Sequence, residues 1–488
     1  MDVSEKPDVL FDRDVEWSDL ASFASNPAPG ATLAILYGRR RQGKTLMLEL
    51  LSEARGGFMF TGLEQSSAQN LAAMSEAYRA FTGTAAPVAF GGWDQVVDAL
   101  LALGERERPL PVIVDELPYL LRTAPEIPSI IQRALSPRGR ARQRSRARLV
   151  LCGSALTVMS RLLGGTAALR GRASREMMIH PFGYRDSARF WEVAADPELA
   201  FRVNALLGGT PAYRDFCEGD QPRLAAEFDR WVVRKLLNPS TAFFREGRVL
   251  LAEEPELGEL ALYFSVLSAI AAGRTRRGQM ADAIGRKESA LSHPLSVLEG
   301  TRLIVRSRDA LRENRATYRI AEPMLRFHQL VIAPNESRLA RRDGERVWAQ
   351  MADTVSSRIY GPHFEELAQE WSMEHASPRS LGGTANEVGR TEINCPEHRH
   401  QHELDVVAIE RTSNSKERVL AIGEAKWRSE PVGLGELERL RHVRGVMNEG
   451  TPRLLLFSRA GFEADLVAEA RRSGDVELVD LARLYDGE

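Results

Sequence analysis

Cysteine is scarce in this chain: 3 residues, at positions 152, 217 and 395, far apart along the sequence. That excludes a disulfide framework and fits a reducing compartment. Long apolar runs are missing too. The longest, over residues 260–273, is about 14 residues, too short to cross a bilayer and suited to a buried helix. The opening stretch MDVSEKPDVLFDRD is charged and carries no apolar segment of the signal-peptide kind, so the expectation is a cytoplasmic protein with no membrane partner. Charge of one sign is also lacking: the formal net charge is -2, so any surface for nucleic acid must be local. Internal repeats are absent.

What is present is the composition of an ordinary globular protein, 43% hydrophobic and 27% charged. The length of 488 residues suggests about three domains at roughly 150 residues each. From Ala31 to about His180, short apolar runs (ATLAILYG, GGFMFTGL, PVIVDE, RLVLCGS, REMMIHPF) alternate with helical patterns, which predicts a parallel sheet covered on both faces. The pattern then turns helical from Tyr184 and is broken once at Gly208-Gly209-Thr210-Pro211. Beyond it, RRGQMADAIGRKESALSHPLSVLEGTRLIVR reads as helix, turn, helix and the first of two strands, the order of a winged helix. Leu291, Leu295 and Leu298 give its second helix one apolar face. A helical connector leads into a last mixed stretch. The fold class expected is therefore α/β: a P-loop NTPase sheet over 1–183, a helical lid over 184–254, a winged helix over 255–335, a connector over 336–357 and a further α/β domain over 358–488.

The segment Gly38-Arg39-Arg40-Arg41-Gln42-Gly43-Lys44-Thr45 fits GxxxxGK[ST], follows the apolar run LAIL and opens the helical pattern LMLELL. That context marks a phosphate-binding loop. Its glycines let backbone N–H groups face the phosphates, and the helix N-terminus adds positive potential. Lys44 is expected to reach the β- and γ-phosphates of ATP, and Thr45 to ligate Mg²⁺. Val112-Ile113-Val114 runs into Asp115 and Glu116. Asp115 is the second candidate for Mg²⁺, and Glu116 the candidate for orienting the attacking water. Ser154, at the tip of the apolar strand LVLCGS, is a candidate γ-phosphate sensor or a helix cap. Arg172 is a candidate arginine finger, in cis or in trans, or a solvated arginine.

These motifs resemble the AAA-like P-loop ATPases of archaea and bacteria in the signal-transduction lineage, the archaeal ATPase family. The resemblance rests on YGRRRQGKT, DELPYL, GSALTVMSRLL, RGRAS with HPFGY, and GGTPAYRDF, and it runs from about Phe11 to Phe216. FDRDVEWSDL, with Arg13 and Glu16, is similar to the family's leading segment by the adenine pocket. The resemblance implies a winged helix next, matching 261–322, and often a nuclease-like domain at the end. Ala155 departs from the pattern, which often has a second serine there.

The C-terminal stretch is similar to the restriction-endonuclease-like superfamily, whose signature is an acidic residue, then Asp, then (D/E)xK. Glu365 lies in a helical pattern, Asp405 on an apolar strand, and Glu424-Ala425-Lys426 on the next. Carboxylates converging on Mg²⁺ would lower the pKa of a bound water and stabilise charge on a scissile phosphate. Lys426, two residues along the strand, projects to the same face as Glu424. Glu365, Asp405 and Glu424 are thus the metal candidates, and Lys426 the residue for the phosphate or water. Leu404 stands where the signature's proline would be.

Two other features compete with these readings. Cys395-Pro-Glu-His398-Arg-His400-Gln-His402 has the look of zinc ligands, but one cysteine and no CxxC point instead to a histidine-rich exposed loop. Arg138, Arg140, Arg142, Arg144, Arg146 and Arg148 repel one another, which predicts an exposed loop, solvated or phosphate-binding. For DNA, Arg276, Arg277 and Arg286 flank the helix-turn-helix pattern. Two functions remain open: an ATP-driven enzyme that cuts DNA, or a nucleotide-controlled switch that binds DNA or protein without cutting. The sequence leaves the oligomeric state open, a homo-oligomer included.

Overall fold

The computed structural model describes residues 5–165, 167–252, 259–312, 316–411, 417–447 and 450–488. The chain divides into two compact units, one comprising Met1–Pro181 and the other Phe182–Ala252 and Leu257–Glu488. The lid and winged-helix boundary expected at 254/255 lies outside the described residues.

The first unit is built on five strands: β1 (Thr32–Tyr37), β2 (Phe58–Thr61), β3 (Leu110–Asp115), β4 (Ala147–Gly153) and β5 (Ala173–Met178). All pair in parallel, in the order β2-β3-β4-β1-β5. The strands β3 and β4 are buried along their whole length, which is why they read as continuous apolar runs rather than alternating ones. One face packs Leu33, Ile35, Val112, Leu149 and Leu151, and the other Ala34, Leu36, Ile113, Val150 and Cys152. The two clusters are the two helical layers of a doubly covered parallel sheet.

Because the strands are parallel, the loops after β1, β3 and β4 leave the same edge of the sheet, the C-terminal edge where ligands of open α/β sheets bind, and β4 between β1 and β3 makes the three loops neighbours.

The second unit starts with helices, among them Tyr184–Phe190, Pro197–Leu207, Phe228–Lys235 and Ala242–Ala252. Helices Leu260–Ala271, Arg277–Ile284 and Ser292–Gly300 follow, then an antiparallel pair, β6 (Ile304–Arg308) and β7 (Ala316–Ile320). Leu291, Leu295 and Leu298 are all buried in the small core of this part. Further helices, among them Gly361–Glu370 and ending with Pro378–Leu381, lead to a mixed sheet of β8 (Glu387–Cys395), β9 (His400–Glu410), β10 (Arg418–Lys426), β11 (Arg453–Ser458) and β12 (Val476–Asp480). Its order is β12-β11-β10-β9-β8, antiparallel over β8–β10 and parallel over β10–β12.

One hydrophobic core runs through most of this unit. It joins Phe201, Phe228 and Phe243 from the first helices, Phe327 and Trp371 from the later ones, and Val406, Phe457 and Leu484 from the C-terminal part. Trp427, just after β10, stacks on Phe201 at 4.1 Å. His363 Nε2 lies 2.8 Å from Asn204 Oδ1. The stretches 184–252 and 336–357 are therefore structural parts of one body with the C-terminal sheet.

Candidate functional site

The candidate residues fall into two groups of side chains, one in each unit. In the first, β1 ends at Tyr37 and the loop turns back before helix Lys44–Arg55 begins. Glycine is needed at both ends of the turn. A Cβ on Gly38 would sit 2.4 Å from the carbonyl oxygen of Ile179, and Gly43 adopts φ 84° directly before the helix. Arg41 also has positive φ, 67°, so the loop is held in the left-handed region twice within three residues. Backbone N–H groups and the helix N-terminus thus face one concavity, the arrangement that receives phosphate. Lys44 is buried and its Nζ donates to Arg39 O at 2.8 Å. Burial lowers its pKa, with Glu116 and Asp115 opposing.

The acidic strand delivers its pair to the same place. Thr45 Oγ1 donates to Asp115 Oδ2 at 2.8 Å, and Asp115 Oδ1 accepts from the backbone N–H of Glu116 at 2.8 Å. Glu116 itself has φ 49°, a strained conformation for a non-glycine residue of the kind that collects at functional sites. Ser154 Oγ lies 3.0 Å from both carboxylate oxygens of Glu116 and accepts from Arg40 Nε at 3.3 Å. The other end of Arg40 meets the hydroxyl of Tyr119. The sequence reading gave Arg40 only a backbone role and Tyr119 none. A polar side chain two residues into the loop, and an aromatic after the acidic pair, were the signals available.

Arg172 is not part of this group. It stands in the turn before β5, and β5 runs parallel to β1 with Ala173 beside Leu33 and Met178 beside Tyr37. The loop at 38–45 leaves the opposite end of β1, about five residues or roughly 16 Å away at strand rise. The placement speaks against an arginine finger in cis; action in trans and a solvated arginine are both compatible with it.

The arginine run is corrected as well. Arg148 is fully buried, and its guanidinium donates to the carbonyls of Asn26, Ala28 and Gly30. Arg142 donates to Ala31 O and Arg146 to Pro27 O. Three of the six arginines thus clasp the turn before β1. Arg13, similarly, donates to His180 O at 2.6 Å and pairs with Glu16 at 3.2 Å.

In the second unit, β9 and β10 pair with Ile422 opposite Val407 and Gly423 opposite Val406. The ladder ends there, and Asp405 and Glu424 are the next residues along their two strands, Asp405 at a register shift of β9 against β8. Both are buried. Asp405 Oδ2 accepts from the N–H of Ala425 at 2.9 Å. Helix Gly361–Glu370 lies across these strands, and Gln369 Nε2 anchors it by donating to Asp405 O at 2.7 Å. Glu365, one turn earlier, looks toward Asp405. Burial and the neighbouring carboxylates push Glu365 up to about 8 and Asp405 up to about 7.

The carboxylates form a row, with Asp405 between Glu365 and Glu424. The close three-way convergence expected of Glu365, Asp405 and Glu424 is not met: among the described residues they do not make a compact metal-binding group. The reason is local. Glu424 is drawn away by two cations, Lys426 on its own strand and Arg439 from helix Leu434–Met447. Glu436 on the same helix faces Arg439 at 3.4 Å and Lys426 at 3.9 Å. Sequence reasoning missed Arg439 and Glu436, because helix Leu434–Met447 mixes charges with no motif of its own, and Gln369, which acts through a backbone carbonyl that no pattern reports.

Glu365 and Gln369 also line a cleft of about 670 Å³, together with Arg308 and Arg319 of the β6–β7 pair and Arg358 and Arg390. Arg276, expected at a DNA surface, is instead paired with Glu392 of β8 at 3.1 Å, while Arg286 is exposed. The segment 395–402, expected as an exposed loop, is the end of β8, a four-residue turn and the start of β9, with Cys395 and His402 buried.

Residues 328–439 match a family model described as archaeal and bacterial proteins of unknown function, a span containing Glu365, Asp405, Glu424 and Lys426. An uncharacterized protein of Methanocaldococcus jannaschii is 22% identical over 400 residues, covering 81% of this chain and 82% of that one. Similar solved structures include archaeal ATPases. A Walker-type ATPase of Pyrococcus abyssi is 20% identical with a TM-score of 0.49, covering 66% of this chain and 96% of that one. The ORC2 protein of Aeropyrum pernix, in ADPNP and ADP complexes, is 16% identical with a TM-score of 0.42, covering 72% and 98%. Among the described residues, no helix is long and apolar enough to cross a membrane.

Proposed function

We propose that the first unit binds ATP and hydrolyses it, and that the second unit acts on DNA through a nuclease-like centre. The observation that carries the ATP reading is the Thr45–Asp115 hydrogen bond of 2.8 Å beneath a glycine-bounded loop at a helix N-terminus. A hydroxyl and a buried carboxylate so close are a fitting donor pair for Mg²⁺, which would neutralise phosphate charge there. Lys44 binds the β- and γ-phosphates, and the backbone N–H groups of residues 39–45 orient them. Glu116 holds the attacking water, while Ser154 and Arg40 fix the direction of its carboxylate. In Lys44→Ala, nucleotide binding measured by equilibrium fluorescence should be lost. In Glu116→Gln, binding should remain and turnover fall by about 10²–10³.

The DNA reading rests on the buried pair Asp405 and Glu424, with Lys426 on the same face and an arginine-lined cleft beside Glu365. Two neighbouring buried carboxylates fit Mg²⁺, which would supply an activated water and charge neutralisation at phosphorus. Glu365 borders the pair, Lys426 meets the phosphate, and the cleft arginines hold the flanking backbone. A non-cleaving, nucleotide-controlled DNA-binding switch is the second reading, favoured by the engagement of Glu424 with Lys426 and Arg439. Nicking of duplex, branched and single-stranded DNA with Mg²⁺ separates them: cleavage lost in Asp405→Asn supports the enzyme, and binding without cleavage by the wild type supports the switch.

A further inference from the structure

At the tip of the β8–β9 hairpin, four side chains meet that neither the ATP site nor the carboxylate row uses. Cys395 ends β8, His398 lies in the turn, and His402 is on β9. His442 comes from helix Leu434–Met447, far along the chain. One ligand atom from each can be chosen so that all four lie within 4.8 Å of one another. Cys395 Sγ is 3.3 Å from His398 Nδ1 and 3.3 Å from His442 Nε2. A tetrahedron with metal–ligand bonds of 2.0–2.3 Å has edges of about 3.3–3.7 Å, so these separations already approximate two edges of a zinc polyhedron. His402, buried at 7% exposure, has its Nε2 without a hydrogen-bond partner. Its ring lies 5.6 Å from that of His398 and 5.5 Å from that of His442. A buried thiol among three imidazoles, one ending in an unsatisfied nitrogen, is a poor arrangement for proteins alone and a good one for a borderline-soft cation.

We infer that Cys395, His398, His402 and His442 bind one structural Zn²⁺ that clamps the β8–β9 hairpin to helix Leu434–Met447. The sequence spacing C-x₂-H-x₃-H on the hairpin brings three ligands to one side of a tight turn, helped by the left-handed Arg399 at φ 53°. The fourth ligand closes the shell from the helix, so no position is left for a substrate, as in structural rather than catalytic zinc sites. With Nε2 turned to the thiol, His442 directs Nδ1 toward Glu397 Oε2 at 3.8 Å, an outer carboxylate that orients the ring. The consequence reaches the carboxylate row, because the clamped helix carries Arg439 and Glu436, the partners of Glu424 and Lys426.

The test uses the full-length, tag-free protein and the metal alone. Elemental analysis after purification should find one zinc per chain in the wild type and in His400→Ala, whose side chain is outside the four. Cys395→Ser and His442→Ala should lose it. Co²⁺ reconstitution of the stripped wild type should give tetrahedral ligand-field bands with a thiolate charge-transfer band. In Cys395→Ser, checked for native circular dichroism, that charge-transfer band should be absent. Substoichiometric zinc in the wild type together with no thiolate–cobalt band would overturn the inference. So would zinc retained by both Cys395→Ser and His442→Ala.

Discussion

At the scale of single residues, the ATP site turns on who holds Glu116. Its carboxylate is held by Ser154, and Ser154 by Arg40, so the group proposed to orient the water is positioned by side chains from two other loops. Ser154→Ala should leave nucleotide affinity within about threefold and reduce turnover by roughly tenfold, since only the orientation of the base is disturbed; steady-state ATPase kinetics beside a binding titration reads both. An unchanged kcat would assign Ser154 to local structure alone. In the second unit, Glu366 is the residue whose loss should be felt most. Burial alone would raise its pKa, yet Arg319 and Arg326 hold it well below the usual carboxylate range. Arg326 lies 2.6 Å from it and is itself buried. Glu366→Ala leaves that buried guanidinium with the Ile320 carbonyl but without its carboxylate, and should destabilise the unit by about 3 kcal/mol, the low end for a broken buried pair. Urea unfolding monitored by tryptophan fluorescence measures it.

At the scale of elements, helix Ala242–Ala252 and the segment around His328 are packed without spare room. A Cβ on Gly247 would meet the His328 ring at 2.3 Å, so Gly247→Ala must displace one of them. His328 is buried, and its burial, with Arg248 nearby, lowers its pKa to about 4. The unfolded chain takes up this proton near pH 6.5 and the folded one only near 4, so stability contributed by neutral His328 is lost as pH falls through that window. Glu370, raised to about 7 chiefly by burial, works in the opposite sense, as do the raised Glu365 and Asp405, so the wild-type curve mixes these contributions. The stability difference between wild type and His328→Leu should therefore shift toward the variant on acidification from 6.5 to 4, by up to about 3 kcal/mol. A pH-independent difference would contradict the burial of a neutral imidazole.

The elements themselves were largely legible in the sequence. The strands β1, β3 and β4 were readable as continuous apolar runs because a strand buried on both faces cannot alternate. The hairpin at 395–402 was not. Its polar, histidine-rich composition looks like a loop, and the fourth ligand, His442, is brought in by tertiary structure that no local pattern reports. For the same reason the row of Glu365, Asp405 and Glu424 was found but its shape was not. Arg439, which pulls on Glu424, comes from a helix without a motif.

At the scale of the molecule, the two proposed activities belong to different units, so they should come apart. Asp405→Asn is expected to abolish Mg²⁺-dependent DNA cleavage while the intrinsic ATPase rate stays within about twofold, as independent sites do. Reversing charge at Arg308 and Arg358 in the cleft should weaken DNA binding and reduce its salt slope by about two, because two phosphate contacts are removed. A slope that does not change would move the DNA surface elsewhere on the unit. The central claim, that the loop of residues 38–45 with Asp115 and Glu116 is a working ATP site, is tested most directly by one experiment. ATP binding and single-turnover hydrolysis are measured with Mg²⁺ for the wild type, Lys44→Ala and Glu116→Gln. The account predicts binding and turnover, neither, and binding without turnover, in that order. Wild-type hydrolysis by Glu116→Gln, or wild-type affinity in Lys44→Ala, would contradict it.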